Sequence, residues 1–368
     1  MAAFRISAGD CFECIERLER VSISPCSLRE LESQLKQLYD LLVTHQALID
    51  SHLVNFFTEN MWDTRLPTEW TEELERIRDD QLTVLSARRV REVVKSPSLI
   101  EFVEECDRMS LTSLGVPEFR RVLSLCTHEQ PNLAMNEKKR HEVSQMIDLL
   151  GYLTKAVEIS QVIDVGSGRG YLSEAIALKH RLKVIGLESK EGNTHSATKR
   201  NKIFERVMKN SVEQMHVASA ASYVPVTVTV EARSESDAHS FLEQLAREYP
   251  GILDSRESTA IVGLHTCGQL ACTIQEIFLT DPHVKLLFYV GCCYHLMSDD
   301  TGFPQSSFLK SKRATLSRTA RNYCQTAKEQ TGSKYVRSES LFYRAVLQWI
   351  IRHELGGHVD HLEGTTTI

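Results

Sequence analysis

A buried strand that breaks into a glycine-dense turn and then a helix is the feature that most constrains this chain. Residues 161–165 form an apolar run, the turn carries Gly166, Gly168 and Gly170, and residues 171–178 follow a helical pattern. Glycine lets the backbone turn tightly and lets a ligand approach bare peptide groups. A strand–turn–helix unit of this kind typically binds a nucleotide-like cofactor.

A second apolar strand, residues 182–187, ends in the acidic residue Glu188. A carboxylate at the tip of the second strand lies where a bound ribose presents its hydroxyls. The dinucleotide fingerprint G-x-G-x-x-G is not matched, because the glycines here alternate and an aspartate, Asp164, precedes them. This form resembles the cofactor site of S-adenosylmethionine-dependent methyltransferases. The alternatives are a tight structural turn and, for Glu188, a solvated charge at a strand end.

We therefore predict a cofactor site for S-adenosylmethionine around this turn. Lys139 belongs to a basic segment at the start of the helix that precedes the first strand, and it is included because that helix lies near the cofactor end of a doubly wound sheet. A solvated basic helix start is the alternative for this segment. The predicted cofactor-binding residues are Asp164, Gly166, Ser167, Gly168, Gly170, Glu188 and Lys139.

Composition places the chain among globular proteins. Of 368 residues, 42% are hydrophobic and 25% are charged. The longest apolar stretch, residues 284–297, is shorter than the roughly 18 residues that a membrane span needs, so no span is predicted. No signal peptide is visible at the start, and the ten cysteines fit reduced thiols in a cytoplasmic or nuclear protein. Cys11 and Cys14 are interpreted as thiols on one helix face rather than as a metal or redox pair.

Charge and hydrophobic periodicity divide the chain. Residues 1–130 carry a net charge of −8 and helical patterns, whereas the remainder carries +2, which permits nucleic-acid binding without arguing for it. The predicted fold class is α/β, a Rossmann-like methyltransferase sheet with an all-helical N-terminal domain. The predicted domains are residues 1–130 for the helical domain, 131–352 for the methyltransferase domain and 353–368 for a disordered tail.

Histidines and cysteines follow two further predicted strands. The strand at 260–264 leads into His265 and Cys267, and the strand at 286–290 leads into a second group. Because the carboxyl ends of parallel strands meet at one crevice, we expect these side chains to converge beside the cofactor. The predicted residues of the reacting end are His265, Cys267, Cys292, Cys293 and His295.

Three interpretations of this group stay open. The first is a substrate pocket of small, soft and hydrogen-bonding side chains. The second is a zinc or other metal site, but the spacing is not a standard one, so no metal ligand is predicted. The third is a nucleophilic cysteine, since Cys267 precedes a helix that would lower its thiol pKa. His265 and His295 are the local candidates for a general base, with structural roles as the alternative.

Several segments together resemble the methyltransferase-like protein 25 family. The resemblance runs from about residue 45 to 352 and implies a Rossmann-like S-adenosylmethionine fold with an added helical N-terminal domain. Relatives with similar histidine–cysteine motifs include a tRNA ribose 2′-O-methyltransferase, so the resemblance makes RNA the leading substrate class. The segments are Lys138–Val143, Asp164–Ser173, Gly263–Gly268, Gly291–Leu296 and Ser340–Gln348.

The resemblance has one departure and leaves two rival functions. Family members continue with strands that complete the sheet, and residues 300–368 show no strand pair. We therefore expect a shortened chain whose strand at 286–290 lacks a neighbour. The expected function is methyl transfer to a macromolecule, RNA before protein. A catalytically inactive scaffold with a methyltransferase fold is the rival, and the oligomeric state is not predicted.

Overall fold

The computed structural model describes residues 2–4, 28–78, 81, 89–110, 135–215, 222–231, 234–324 and 339–354. These residues divide into two compact units. One unit combines residues 1–22 with 117–305, and the other combines residues 23–116 with 306–368. The predicted thiol pair Cys11 and Cys14 lies outside the described residues, as does the predicted tail beyond residue 354.

The first unit is built on a six-stranded sheet. Its strand order is β1-β6-β5-β2-β3-β4, in which β2 to β6 run parallel and β1 runs antiparallel to β6. The predicted α/β fold class is confirmed, because parallel strands alternate with helices along the chain. The strands are β1 (Ala2–Phe4), β2 (Gln161–Val165), β3 (Lys183–Glu188), β4 (Ser222–Thr227), β5 (Thr259–Leu264) and β6 (Val284–Val290).

Both faces of the sheet are buried, as expected of a parallel sheet with helices on each side. Alternate residues of β2 show this, since Val162 belongs to one apolar core and Ile163 to the other. The segment 241–248 supplies Leu242 to the second core. The helices of this unit are α7 (Glu137–Ala156), α8 (Tyr171–His180), α9 (Glu191–Met215), α10 (Glu235–His239), α11 (Phe241–Glu248) and α12 (Gln269–Thr280).

The outer edge of β6 differs from the prediction. The sequence predicts that this strand lacks a neighbour, but β1 pairs with it, and Ala3 lies opposite Leu287. The missing partner therefore comes from the beginning of the chain rather than from residues 300–368. A three-residue strand carries too little periodicity to be seen in sequence, which explains why the pairing was not predicted.

The second unit is helical among its described residues. Its core surrounds Trp70, whose indole nitrogen donates to Ser98 Oγ at 2.8 Å. Tyr323 ties the later segment to the earlier one, because its hydroxyl donates to the Ser51 carbonyl at 2.9 Å. The helices are α1 (Leu28–Thr44), α2 (Gln46–Ile49), α3 (Met61–Arg65), α4 (Thr68–Leu74), α5 (Val90–Val93), α6 (Pro97–Arg108), α13 (Ser307–Ser311), α14 (Arg318–Tyr323) and α15 (Glu339–Glu354), with short 3₁₀ turns at Leu53–Asn55 here and at Tyr294–Leu296 in the sheet unit.

The predicted domain boundaries stay predictions, and the compact units group the chain differently from them. The predicted methyltransferase domain ends at residue 352, whereas residues 306–368 group with the early helices. The predicted tail begins at residue 353, but helix α15 continues to Glu354. No described helix combines the length and the apolar character that crossing a membrane requires.

Candidate functional site

The glycine turn after β2 is shaped by its backbone. Gly166, Gly168 and Gly170 have φ angles of +74°, +58° and +79°, a region that residues with a Cβ rarely adopt. A Cβ on Gly170 would collide with the ring of the buried Tyr223. The amides of Gly166 and Ser167 both donate to the Leu187 carbonyl, at 2.9 and 3.0 Å. The turn is thus fastened to the end of β3.

Glu188, the acid at the tip of β3, faces this turn. One carboxylate oxygen accepts from the Gly168 amide at 2.9 Å, and the other accepts from the Lys190 amide at 2.8 Å. Only 8% of the residue is exposed. The interpretation of Glu188 as a solvated charge is therefore wrong, and its role in holding a ribose stays a prediction.

Asp164, the last acid before the turn, is fully buried. It accepts a hydrogen bond from Ser173 Oγ at 2.6 Å. Burial raises the pKa of Asp164 to about 6, and the Ser173 hydroxyl and the positive charge of Lys139 oppose that shift. Lys139 also lies 5.0 Å from the centre of the Tyr171 ring, immediately after Gly170. The predicted cofactor residue Lys139 is therefore at the glycine turn.

A cavity of about 570 Å³ opens beside the turn, within the roughly 300–1,000 Å³ of small-molecule sites. Its lining combines apolar side chains with hydroxyl, amide and carboxyl groups. The parts contributed by the segment after β4 and by α12 were not predicted, because they carry no motif. The lining residues are Val165, Gly166, Leu187, Ser189, Val228, Thr229, Val230, Glu231, Gln269, Leu270, Thr273 and Thr301.

This end of the sheet fits an adenosyl group. The bare glycine backbone permits close approach, and the cavity offers apolar walls such as Leu187 and Leu270 to a flat base. Glu188 provides acceptor oxygens beside the turn for sugar hydroxyls. Of the predicted cofactor residues, Gly166 lines the cavity, and Gly168 is joined to Glu188 by a hydrogen bond beside it.

His265 forms a pair that the sequence did not predict. Its Nε2 lies 3.2 Å from a carboxylate oxygen of Glu142, which belongs to α7, 123 residues earlier. The His265 side chain is 45% exposed, whereas that of Glu142 is 25% exposed. Glu142 had no assigned role, since nothing in the sequence links it to β5. A half-exposed imidazole held by a carboxylate is an arrangement suited to accepting a proton.

The three cysteines of the predicted reacting end converge. Cys267 Sγ is 2.8 Å from Cys292 Sγ, which is 3.5 Å from Cys293 Sγ. Burial raises the pKa of Cys267, but hydrogen bonds from the thiols and backbone amides of Cys292 and Cys293 together outweigh burial, and this pKa is lowered. Burial, followed by the neighbouring thiols, raises the pKa of Cys292. The lowered pKa expected from a helix start thus has the thiols and backbone amides of the neighbouring loop as its cause.

His295 lies in the loop that carries Cys292 and Cys293, but its surroundings differ from theirs. Its Nδ1 is buried and has no hydrogen-bond partner among the described residues. The three sulfurs lie within 4.8 Å of one another, a group that His295 does not join. The structure therefore separates the predicted reacting end into a His265–Glu142 pair, a cysteine triad and His295. Their catalytic roles remain predictions.

Comparison with known proteins supports the interpretation of the sheet unit as a methyltransferase domain. A family model described as a methyltransferase domain matches residues 138–300. The protein named "Probable methyltransferase-like protein 25" is 25% identical to this chain in Homo sapiens, over 88% of this chain and 78% of the relative. The Mus musculus protein of the same name is also 25% identical, over 89% of this chain and 78% of the relative.

A solved structure is also similar, but its sequence identity is lower. Magnesium protoporphyrin IX methyltransferase from Synechocystis PCC 6803 with bound SAH is 16% identical and covers 49% of this chain and 68% of its own. Its TM-score of 0.23 carries no argument. The family model and the curated relatives confirm the predicted resemblance and the methyltransferase class, and with that class S-adenosylmethionine as cofactor.

Proposed function

We propose, on the premise that residues 138–300 are a methyltransferase domain, that the chain methylates a hydroxyl group of RNA. The observation that carries this proposal is the His265–Glu142 pair at the carboxyl end of β5. A hydroxyl must lose its proton as it attacks, so an acceptor of this kind needs a base within reach. Side chains that only position a substrate would not require an imidazole held by a carboxylate.

The protein's own residues would divide the work as follows. The glycine turn and Glu188 hold the cofactor. The cavity lined by Leu187 and Leu270 excludes water from the adenine ring of the cofactor. When bound, S-adenosylmethionine supplies a methyl group already activated by a positive sulfonium. Alignment of the acceptor in line with that methyl group accounts for much of the rate.

His265 acts in this proposal as the proton acceptor. Its Nε2 faces Glu142, so the opposite ring nitrogen is available to an incoming hydroxyl. As His265 gains a proton, the Glu142 carboxylate stabilises the positive charge that forms on the ring. The carboxylate also fixes the orientation of the imidazole, which an isolated surface histidine would lack.

RNA as the acceptor rests on chemistry and on the family resemblance. The ribose of RNA presents a hydroxyl at every nucleotide, whereas exocyclic-amine methyltransferases carry an Asn- or Asp-Pro-Pro-aromatic motif that is absent after β5. The start of α7 adds Lys138 and Arg140, both exposed, at the end of the unit that bears the glycine turn. Exposed cations at such a position suit phosphate groups.

The experiment that tests this function measures methyl transfer from radiolabelled S-adenosylmethionine into cell extracts. We expect label that ribonuclease removes and protease does not, and ribose-methylated nucleosides in the digested product. His265→Ala should lower kcat by about 10²–10³ while the Kd for S-adenosylmethionine stays unchanged. His195→Ala, at an exposed histidine of α9, is the matched control and should behave like the unaltered protein.

Other outcomes would favour the rival functions. Label that survives ribonuclease and is released by protease would indicate a protein acceptor. Cofactor binding without transfer to either macromolecule would indicate a scaffold with a methyltransferase fold. Either result contradicts the proposal. A cytoplasmic or nuclear location is proposed as well, and cell fractionation checks it.

A further inference from the structure

We propose that Cys267, Cys292 and Cys293 form a three-thiolate site for a zinc ion. The three sulfur atoms all lie within 4.8 Å of one another, and each residue is half-buried. The sequence predicts no metal ligand here because two of these cysteines are adjacent and the third is 25 residues earlier. The fold brings the three cysteines together although they are far apart in sequence. This inference concerns metal content and does not rest on the identity of the methyl acceptor.

The site is built by two loops that press against each other. Cys267 lies between β5 and α12, and Cys292 follows β6, which is the parallel neighbour of β5. The Thr266 amide donates to the Val290 carbonyl at 3.1 Å, so the first loop is fastened to the end of β6. The backbone therefore holds the cysteines together independently of any contact between the thiols.

Gly268 provides a second, independent indication of this close packing. Its φ is +59°, and a Cβ at this position would lie 2.8 Å from the Leu296 Cβ and 2.9 Å from the Leu296 carbonyl oxygen. No side chain fits between the two loops at this point. The residue next to Cys267 is thus in contact with the turn that carries Cys292 and Cys293.

The donor set selects the metal. Thiolates are soft ligands that favour zinc over magnesium or calcium, which prefer oxygen. Zinc–sulfur bonds of about 2.3 Å in a tetrahedron place two sulfurs roughly 3.8 Å apart. The sulfur–sulfur distances of 2.8 and 3.5 Å, with all three atoms inside 4.8 Å, are close enough for side-chain rotation to reach that value.

Among the residues that the structure describes, no fourth cysteine joins this group. Three protein ligands with one open position are typical of zinc sites that take part in chemistry, where water or a substrate atom completes the tetrahedron. His295, two residues after Cys293, has a buried Nδ1 with no hydrogen-bond partner among the described residues. An imidazole nitrogen of this kind is a suitable zinc donor from the same turn.

The test measures metal on the full chain. The protein is purified with a reductant, incubated with zinc chloride and passed through gel filtration. It should then contain about one zinc per chain, measured by inductively coupled plasma mass spectrometry. Cobalt substitution should give the near-ultraviolet absorption of thiolate–cobalt bonds. Cys267→Ser, Cys292→Ser and Cys293→Ser should each reduce bound metal at least tenfold. Retained S-adenosylmethionine binding shows that these variants fold.

Cys272→Ser is the matched control, because Cys272 is buried in α12 of the same unit and is outside the triad. This variant should retain one zinc per chain and the cobalt spectrum. The proposal is overturned if the unaltered protein binds no zinc after incubation, or if the triad variants bind as much as the control. A quantitative Cys267–Cys292 disulfide in protein isolated with reductant would overturn it as well.

Discussion

Two regions at the carboxyl edge of the sheet are built in different ways. The cofactor turn, residues 164–188, comes from one continuous strand–turn–helix–strand segment, and backbone hydrogen bonds fasten the glycine turn within it to β3. The histidine–cysteine region draws side chains from distant segments into two groups, the His265–Glu142 pair and the triad of Cys267, Cys292 and Cys293. The first region is determined by backbone conformation and the second by the arrangement of whole strands.

This difference predicts how each region tolerates substitution. A change that alters the backbone of the cofactor turn should affect folding and cofactor binding together, because both depend on the same peptide groups. A change of side chain in the histidine–cysteine region should affect transfer or metal content and leave cofactor binding intact. Substitutions in each region test this separation.

Gly170→Ala should have the largest effect. The substitution places a Cβ at a φ of +79° and against the buried Tyr223. Strain and overpacking together should lower the free energy of unfolding by about 3 kcal/mol, measured by urea denaturation, with weaker cofactor binding. Gly192→Ala is the control, since a Cβ there meets no atom within 4 Å. Equal stability of the two variants would contradict a turn that depends on its backbone conformation.

Glu188→Ala should weaken S-adenosylmethionine binding about a hundredfold, measured by calorimetry. The substitution removes the acceptor of the Gly168 and Lys190 amides together with the oxygens offered to a ribose. Glu191→Ala, an exposed acid three residues later, should leave the Kd unchanged. Unchanged affinity in Glu188→Ala would refute the ribose role of this residue.

Asp164→Asn should change how stability depends on pH. The folded pKa of Asp164, about 6, lies above its ordinary value of 3.8, so burial disfavours the charged form. The ionised carboxylate therefore destabilises the fold progressively as pH rises from about 4 to 7, by about 2–3 kcal/mol in total. The amide variant should gain stability relative to the unaltered protein as pH rises across this range. If the difference in unfolding free energy between the two proteins were the same at both ends of this pH range, the assigned pKa would be contradicted.

Glu142→Gln should have the smallest effect, about tenfold in kcat, because the amide keeps a contact to His265 but loses the charge that stabilises its protonated form. The Kd for S-adenosylmethionine should not change. Glu137→Gln, at an exposed acid of the same helix, is the control. Loss of cofactor affinity together with kcat would show that the two regions are not separable in this way.

The same contrast explains what the sequence could predict. The order of β2, the glycine turn, α8 and β3 was predictable because strand and turn signals are local and lie in register within 30 residues. The convergence of Cys267 with Cys292 was predictable from a rule about parallel strands. Neither required knowledge of side-chain packing.

Other features were beyond sequence reasoning for physical reasons. The pairing of Glu142 with His265 depends on where α7 lies across the sheet, and one glutamate among many charged residues gives no signal. The pairing of β1 with β6 joins residues 284 positions apart, such as Ala3 and Leu287, through three residues of strand. Residues 235–248 form two short helices that pack into the core, and helices this short give little periodicity in sequence.

The contact between Glu188 and the glycine turn has a thermodynamic consequence for ligand capture. Both carboxylate oxygens are held by peptide N–H groups before any ligand arrives, so the rotamer freedom of this side chain is already lost when the protein folds. Association then proceeds without an additional ordering penalty at this acid. A preorganised acceptor of this type raises the affinity for a sugar hydroxyl, because less freedom is lost on binding.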